Sequence, residues 1–209
     1  MKIKILLIAL LAIGLAGCKN RTQQNQSTNE IINDKLEIPV TAKEFTKQKY
    51  LIKNNGVDIF LIGQNMPTQA DGYSITQSIE TREEEGDEFE IPIYTVSENG
   101  QKMLSIEKYY SDRIDNIFLL SDKFKTAKNI GLHSTIEEFM VTYPDFTIWF
   151  SYINGWYVIE TEQLGGVQFF LDGDDFIEEG GPKFNSDRTI LKPSEFKKGS
   201  KIIGIRIWG

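Results

Sequence analysis

Phe146-Thr147-Ile148-Trp149-Phe150-Ser151-Tyr152-Ile153-Asn154-Gly155-Trp156-Tyr157-Val158-Ile159-Glu160-Thr161 is the stretch that decides the fold class. β-Branched and aromatic residues dominate both arms. Asn154-Gly155 between them is the strongest short-range hairpin signal, because both residues tolerate φ > 0. A two-residue turn there sets Phe146, Ile148, Phe150 and Tyr152 beside Tyr157 and Ile159, a nearly unbroken apolar face. It also sets Ile153 opposite Trp156 and Trp149 opposite Glu160, so the reverse side carries Trp149, Ser151, Ile153, Trp156, Val158 and Glu160. Two indoles separated by polar positions suit a half-exposed recognition surface, since tryptophan combines a large contact area with one polar handle. Trp149 and Trp156 are therefore the candidate binding residues. The competing reading is a second core layer, covered by the helix at Ser134 or by a loop.

The pattern recurs upstream. Glu90 to Ser97, Asn99-Gly100 and Gln101 to Lys108 read as another hairpin. A two-residue turn puts Ile91, Ile93, Leu104 and Ile106 on the expected core face, and Tyr94, Val96, Met103 and Glu107 on the other. Further strands are expected at Val57 to Ile62, Arg113 to Leu120, Val167 to Leu171 and Lys201 to Trp208. In the last, Ile203, Ile205 and Ile207 alternate with Gly204, Arg206 and Trp208, so it belongs inside the sheet. One helix is well signalled. Ser134-Thr135-Ile136-Glu137 has capping-box spacing, Ile136, Phe139 and Met140 form an apolar stripe, and Pro144 stops it. A weaker helix is expected within Ala42 to Tyr50. The chain reads as α+β, mainly antiparallel β-hairpins in a meander with one or two short helices. Ile62-Gly63 and Ile130-Gly131 each precede a hairpin, which suggests two similar halves, 57–121 and 122–209.

The 209 residues suffice for a packed core, and the formal charge of −7 leaves no excess cation to neutralise phosphates, so no nucleic-acid partner is expected. One Cys and one His allow no intramolecular disulfide and no zinc site built from those residues.

Lys2 and Lys4 precede an apolar run from Ile5 to Ala16, the n-region and h-region of a secretory signal. A spanning helix would need roughly 20 apolar residues. The run closes on Leu15-Ala16-Gly17-Cys18, which resembles the lipobox of bacterial lipoproteins. The resemblance implies removal of residues 1–17 and a mature N-terminus at Cys18. Cys18 would carry a diacylglycerol and an N-acyl chain such as palmitate. Two or three acyl chains anchor stably at about 0.8 kcal/mol per buried methylene. Loss of Lys2 and Lys4 takes the formal charge from −7 to −9, so an anionic bilayer repels the body. The polar segment from Lys19 to Asn29 offers nothing to bury and reads as a tether, with residues 18–35 ahead of a single globular domain at 36–209. Lys19 provides neither the Asp of inner-membrane retention nor an acidic export signal. In a cell with two membranes this favours the periplasmic face of the outer membrane.

The segment from Phe60 to Trp208 also resembles a family of uncharacterised bacterial envelope lipoproteins, classed as a domain of unknown function. The matching residues are Asn99-Gly100-Gln101-Lys102-Met103-Leu104-Ser105-Ile106, Ile114-Asp115-Asn116-Ile117, Phe124-Lys125-Thr126, Ile130-Gly131-Leu132-His133-Ser134-Thr135, Glu138-Phe139 and the closing strand to Trp208. The resemblance implies domain extent and envelope location, and brings no catalytic residues.

Chemistry-bearing motifs are sparse. His133 is the single imidazole and reads as a surface residue entering a helix, with Ser134 as its cap. Asp172-Gly173-Asp174-Asp175 gathers oxygen ligands that Ca²⁺ accepts but lacks EF-hand spacing, so Asp172, Asp174 and Asp175 read as an acidic turn before they read as a metal site. Thr81 to Glu90 is an acidic run, expected as a solvated loop. Gly165-Gly166 and Gly180-Gly181 read as turns. The expectation is a lipid-anchored, non-catalytic binding or accessory module without cofactor, monomeric, whose partner is an envelope protein or cell-wall component. The alternative is a carboxylate-dependent envelope hydrolase, recognisable by a cleft with two facing carboxylates.

Overall fold

The structure, a computed structural model, describes residues 48–209 other than 69, 85, 86, 110, 111 and 184. The expected signal peptide, Cys18 and the expected tether lie outside the described residues. So does most of the helix expected within Ala42 to Tyr50, of which Gln48 and Lys49 are helical.

Three two-residue strands, β1 (Ile52–Lys53), β2 (Gly56–Val57) and β3 (Phe60–Leu61), make a small antiparallel sheet. The single strand expected from Val57 to Ile62 is thus folded back on itself. Val57 faces Phe60 across Asp58-Ile59, with Asp58 at φ 48°, and both apolar side chains are fully buried. An extended strand would have sent these two side chains to opposite faces.

The remaining elements are β4 (Ser74–Glu84), β5 (Asp87–Glu98), β6 (Gln101–Glu107), β7 (Asn116–Leu119), α1 (Ile136–Thr142), β8 (Phe146–Ser151), β9 (Trp156–Thr161), β10 (Val167–Leu171), β11 (Arg188–Leu191) and β12 (Ile202–Trp208). The nine strands from β4 onward form one sheet in the order β11-β8-β9-β10-β12-β7-β6-β5-β4, with each neighbouring pair antiparallel. The protein is mainly antiparallel β. Residues 57–121 supply β4 to β7 as a meander, and 122–209 supply β8 to β10 as another. As its alternation requires, β12 lies in mid-sheet, between β10 and β7.

Both Asn-Gly hairpins form, and neither keeps the register of a plain two-residue turn. At β5–β6 the turn is Asn99-Gly100, both at positive φ, with Glu98 opposite Gln101. A bulge then shifts the pairing by one, so Val96 faces Leu104 and Ile93 faces Glu107. Leu104 and Ile106 therefore share the core face with Tyr94 and Val96, and Ile91 and Ile93 go to the other side, correcting the expected face. At β8–β9 the loop has four residues, with Ser151 opposite Trp156 and Trp149 opposite Val158. That shift is two residues, so each side chain stays on the expected face and Ile153 moves into the loop, where it is exposed.

The acidic run is strand rather than loop. Thr81 to Glu84 ends β4 and Asp87 to Glu90 begins β5, so the two arms pair at the tip of a long hairpin with Thr81 opposite Glu90. The helix cap lies one residue later than expected. Ser134 Oγ accepts from Gly131 N at 3.2 Å, whereas Thr135 Oγ1 accepts from Glu138 N at 3.2 Å and the Glu138 carboxylate from Thr135 N at 2.8 Å. Such a box contributes about 1 kcal/mol.

The core lies on one face of the large sheet, here the inner face. Phe139 of α1 meets Phe169 of β10 edge-on at 5.0 Å, and Ile159, Ile205, Ile207, Ile117 and Ile106 continue the layer. Ile52, Val57 and Phe60 of the small sheet join the same cluster.

Candidate functional site

Alternate residues of the same strands form the outer face. Ile190, Trp149, Val158, Phe170 and Gly204 stand in register across β11, β8, β9, β10 and β12. A Cβ at Gly204 would lie 2.9 Å from Phe170 Cδ2, so glycine makes room for that ring, which leans on Trp156 at 4.9 Å. Val158 and Ile91 are buried hydrophobics outside the main core cluster; Val158 stands in register between Trp149 and Phe170.

Cations and indoles interleave here. The Arg188 guanidinium lies 4.4 Å from the Trp149 ring centre and ion-pairs with Glu160. Arg206 lies 4.9 Å from Trp156 and 5.7 Å from Trp208, and donates from Nε and a terminal nitrogen to Gln168 Oε1 at 3.2 and 2.6 Å. Burial pushes the Arg206 pKa down, opposed by Tyr109 and Glu107. Cation–aromatic contacts of this kind contribute about 0.5–2 kcal/mol, more as water is excluded. Trp149, Trp156 and Trp208 are the chain's 3 tryptophans, and all share this face.

A cleft of about 510 Å³ opens on it, walled by Thr147, Trp149, Glu160, Arg188, Arg206 and Trp208. Gly165-Gly166 forms part of its rim. At Gly166, φ is 80° and a Cβ would fall 2.8 Å from the carbonyl oxygens of Asn54 and Trp208, so only glycine fits. Asp145, also in the wall, accepts from Thr161 Oγ1 at 2.8 Å and Gln163 Nε2 at 2.9 Å. The Thr161 hydrogen bond first, with backbone and Gln163 donors, holds its pKa below the ordinary value. Glycoside hydrolysis needs one carboxyl kept protonated. Asp145 is driven the other way, and Glu160 is ion-paired with Arg188.

Two buried carboxylates flank the sheet's first half. Glu107, on the outer face, accepts from Arg82, from Tyr109 Oη at 2.8 Å and from Asn116 Nδ2 at 3.3 Å. Glu98, at the end of β5, accepts from Lys49 at 2.6 Å, Tyr50 Oη at 2.5 Å and Lys123 at 3.3 Å. Lys49 and Tyr50 hold its carboxyl at about 2 against the opposing effect of burial, with help from Lys123.

Of the sequence candidates, Trp149 and Trp156 share this face, both half-buried, and only Trp149 walls the cleft. Asp172 to Asp175 lie in a short 3₁₀ turn after β10, where the Asp172 carboxylate caps Asp174 N at 3.0 Å and Asp175 lies 3.6 Å from Lys197. Among the described residues no three His, Cys, Asp or Glu side chains converge as metal ligands. His133 is exposed, at φ 69°, with its backbone N–H donating to Ile202 O. Arg188, Arg206, Trp208 and Gln168 were not foreseen as site residues. The one signal was the Arg206/Trp208 alternation in β12, whose meaning depends on strands far away in sequence.

These elements define an open nine-stranded antiparallel sheet with its core on one face and an aromatic–arginine cleft on the other. The fold is similar to that in the crystal structure of the uncharacterized protein yfeY from Escherichia coli, with a TM-score of 0.51 over 76% of this chain and 99% of that one. At 14% identity the likeness concerns the fold alone. No family model and no curated protein matches the chain.

Proposed function

We propose that the protein is a lipid-anchored, non-catalytic binding module of the bacterial cell envelope, held through Cys18 and working through the outer face of its sheet. The reading takes the anchor and envelope location from Leu15-Ala16-Gly17-Cys18 and the polar tether. The observation that carries the binding role is the gathering of Trp149, Trp156 and Trp208 with Arg188 and Arg206 on the face opposite the core. A sheet face needed only for solubility has no use for three indoles, which dominate recognition surfaces. The same reading treats 57–121 and 122–209 as related halves, supported by the meander that each contributes.

The test is photo-crosslinking in living cells from two exposed sites, Ile190 on the outer face and Val141 on α1. Defined adducts from position 190, absent at 141, support the reading. Equal labelling at both removes the outer face as the working surface. Cys18→Ala checks the anchor separately: acyl label and membrane attachment should both vanish, and attachment that survives the change rules the lipobox out.

A further inference from the structure

The two edges of the nine-stranded sheet are finished differently. At one edge β11 has four residues, and a strand that short offers little to pair with. At the other, β4 runs for eleven residues with β5 as its one neighbour among the described residues. β6 stops pairing with β5 at Ile93, so beyond that point β4 and β5 stand as a two-stranded arm, marginal by itself. Ser74, Thr76 to Thr81 and Glu83 are exposed, on both faces of the strand. The backbone is open too. Glu107 O accepts from Asp115 N–H at 3.1 Å, so Glu107 turns its backbone to β7 and Ile106 turns its own to β5. Carried across the pairs Ile106–Tyr94 and Ile93–Ser78, the alternation leaves Ile75, Gln77, Ile79, Thr81 and Glu83 with N–H and C=O directed away from the sheet. Pro92, opposite Ile79, fits this pattern: its missing N–H faces the side that β6 has already left.

We propose that β4 pairs with β4 of a second copy of this chain, antiparallel about a two-fold axis at Gln77, joining two sheets edge to edge. An isologous contact requires a surface complementary to itself, and Ile75-Thr76-Gln77-Ser78-Ile79 has the same order in both directions: apolar, hydroxyl, amide, hydroxyl, apolar. About that axis Ile75 of each copy meets Ile79 of the other, and Thr76 meets Ser78. An axis at Ile79 would set Ile75 against Glu83, and one at Glu80 would set that carboxylate against its own counterpart. Charge fixes the direction. Glu83, Asp87, Glu88 and Glu90 are exposed toward the tip of the arm, so a parallel pairing would bring two acidic tips together, whereas the antiparallel one sends them to opposite ends. The dimer is independent of the proposed function, which uses the outer face of the sheet, and stands in place of the monomer expected from the sequence.

Analytical ultracentrifugation of the detergent-solubilised full chain tests the pairing. A dimer is expected, with a dissociation constant of about 10 μM or below. Gln77→Pro removes an N–H that points away from the sheet, so it should weaken the dimer about tenfold or more while the melting temperature stays unchanged. If that variant melts lower, Ile79→Lys decides, because a lysine on an edge strand opposes pairing and Ile79 is 62% exposed. In cells, a photo-crosslinker at position 77 should give covalent dimers joined within residues 74–80, and one at position 141 on α1 should give none. A monomeric wild-type chain overturns the proposal. So does a dimer that both variants retain, for then the chains are held together elsewhere or by a shared micelle. Adducts from position 77 to a different protein, without covalent dimers, overturn the second copy as the occupant.

Discussion

The inner and outer faces of the nine-stranded sheet are drawn from alternate residues of the same strands, yet they obey different chemistry. In β12, Ile205 and Ile207 point into the core while Arg206 and Trp208 point away from it; in β10, Phe169 meets Phe139 while Gln168 and Phe170 meet Arg206 and Trp156. The inner face is apolar and closed over by α1 and the small sheet. The outer face mixes rings with charges, and its Trp149, Trp156 and Phe170 are half-buried. Burial on the inner face stabilises the fold. On the outer face, contact area and charge are arranged where a second molecule can reach them, so removing a side chain should have opposite consequences on the two faces.

The largest effect belongs to the inner face. Phe169→Ala removes a fully buried ring that contacts Phe139 and stands in register with Ile159 and Ile205. A loss of about 3–5 kcal/mol is expected in urea unfolding, with the denaturant slope unchanged. A loss under about 1 kcal/mol would mean that the inner face is not the core.

The faces were partly legible in the sequence, and the parity of each register shift decides where. The β8–β9 loop is two residues longer than Asn154-Gly155 alone requires, but an even shift returns every side chain to its face, so Trp149, Trp156 and Val158 were placed together correctly. The β5–β6 bulge shifts by one, and Ile91 and Ile93 exchange places with Tyr94 and Val96. Nothing local in the sequence marks a bulge that cross-strand packing selects. β4 escaped notice because its outer positions, Thr76, Ser78, Glu80 and Arg82, are polar, as suits an edge strand. The cleft was illegible for a further reason: Arg188, Arg206 and Glu160 come together only when β11, β8, β9, β10 and β12 are in place.

Glu98 tests how the inner layer is clipped at its end. Its carboxyl holds Lys49, Tyr50 and Lys123, and the Tyr50 ring packs on buried Phe124 at 5.7 Å. The folded pKa of about 2 lies below the ordinary value of 4.5 for a glutamate. Its contribution is therefore fully present above the unfolded value and is lost as pH falls from there through the folded one. That amounts to about 3 kcal/mol between pH 5 and pH 2. Glu98→Gln should flatten this part of the stability profile relative to wild type; parallel profiles would show that Glu98 does not clip the layer.

Trp156→Ala probes the boundary between the faces. The indole is half-buried, leans on Phe170 and receives Arg206. About 2 kcal/mol is expected, less than for a core ring because part of the indole is already in water. Thermal melts place the residue: a loss as large as that of Phe169→Ala would make the outer face a second core layer and remove it as a binding surface.

Trp208→Ala should affect the fold least and the cleft most. The side chain is 45% exposed at the end of β12, and its ring contact is the Arg206 guanidinium at 5.7 Å. The hydrogen bond that fixes this end of the strand runs from the backbone N–H of Trp208 to Gly166 O at 2.9 Å, so truncating the indole leaves it in place. Less than about 1 kcal/mol of stability is expected to be lost. Yet Trp208 and Trp149 are the two indoles in the cleft wall, and an exposed indole at a cleft mouth contributes contact area that no neighbour replaces. Crosslinking in living cells from Ile190 should fall several-fold, because the proposed working face loses one of its indoles. A drop in melting temperature with unchanged crosslinking would reverse the assignment, placing Trp208 with the core and removing it from the proposed working face.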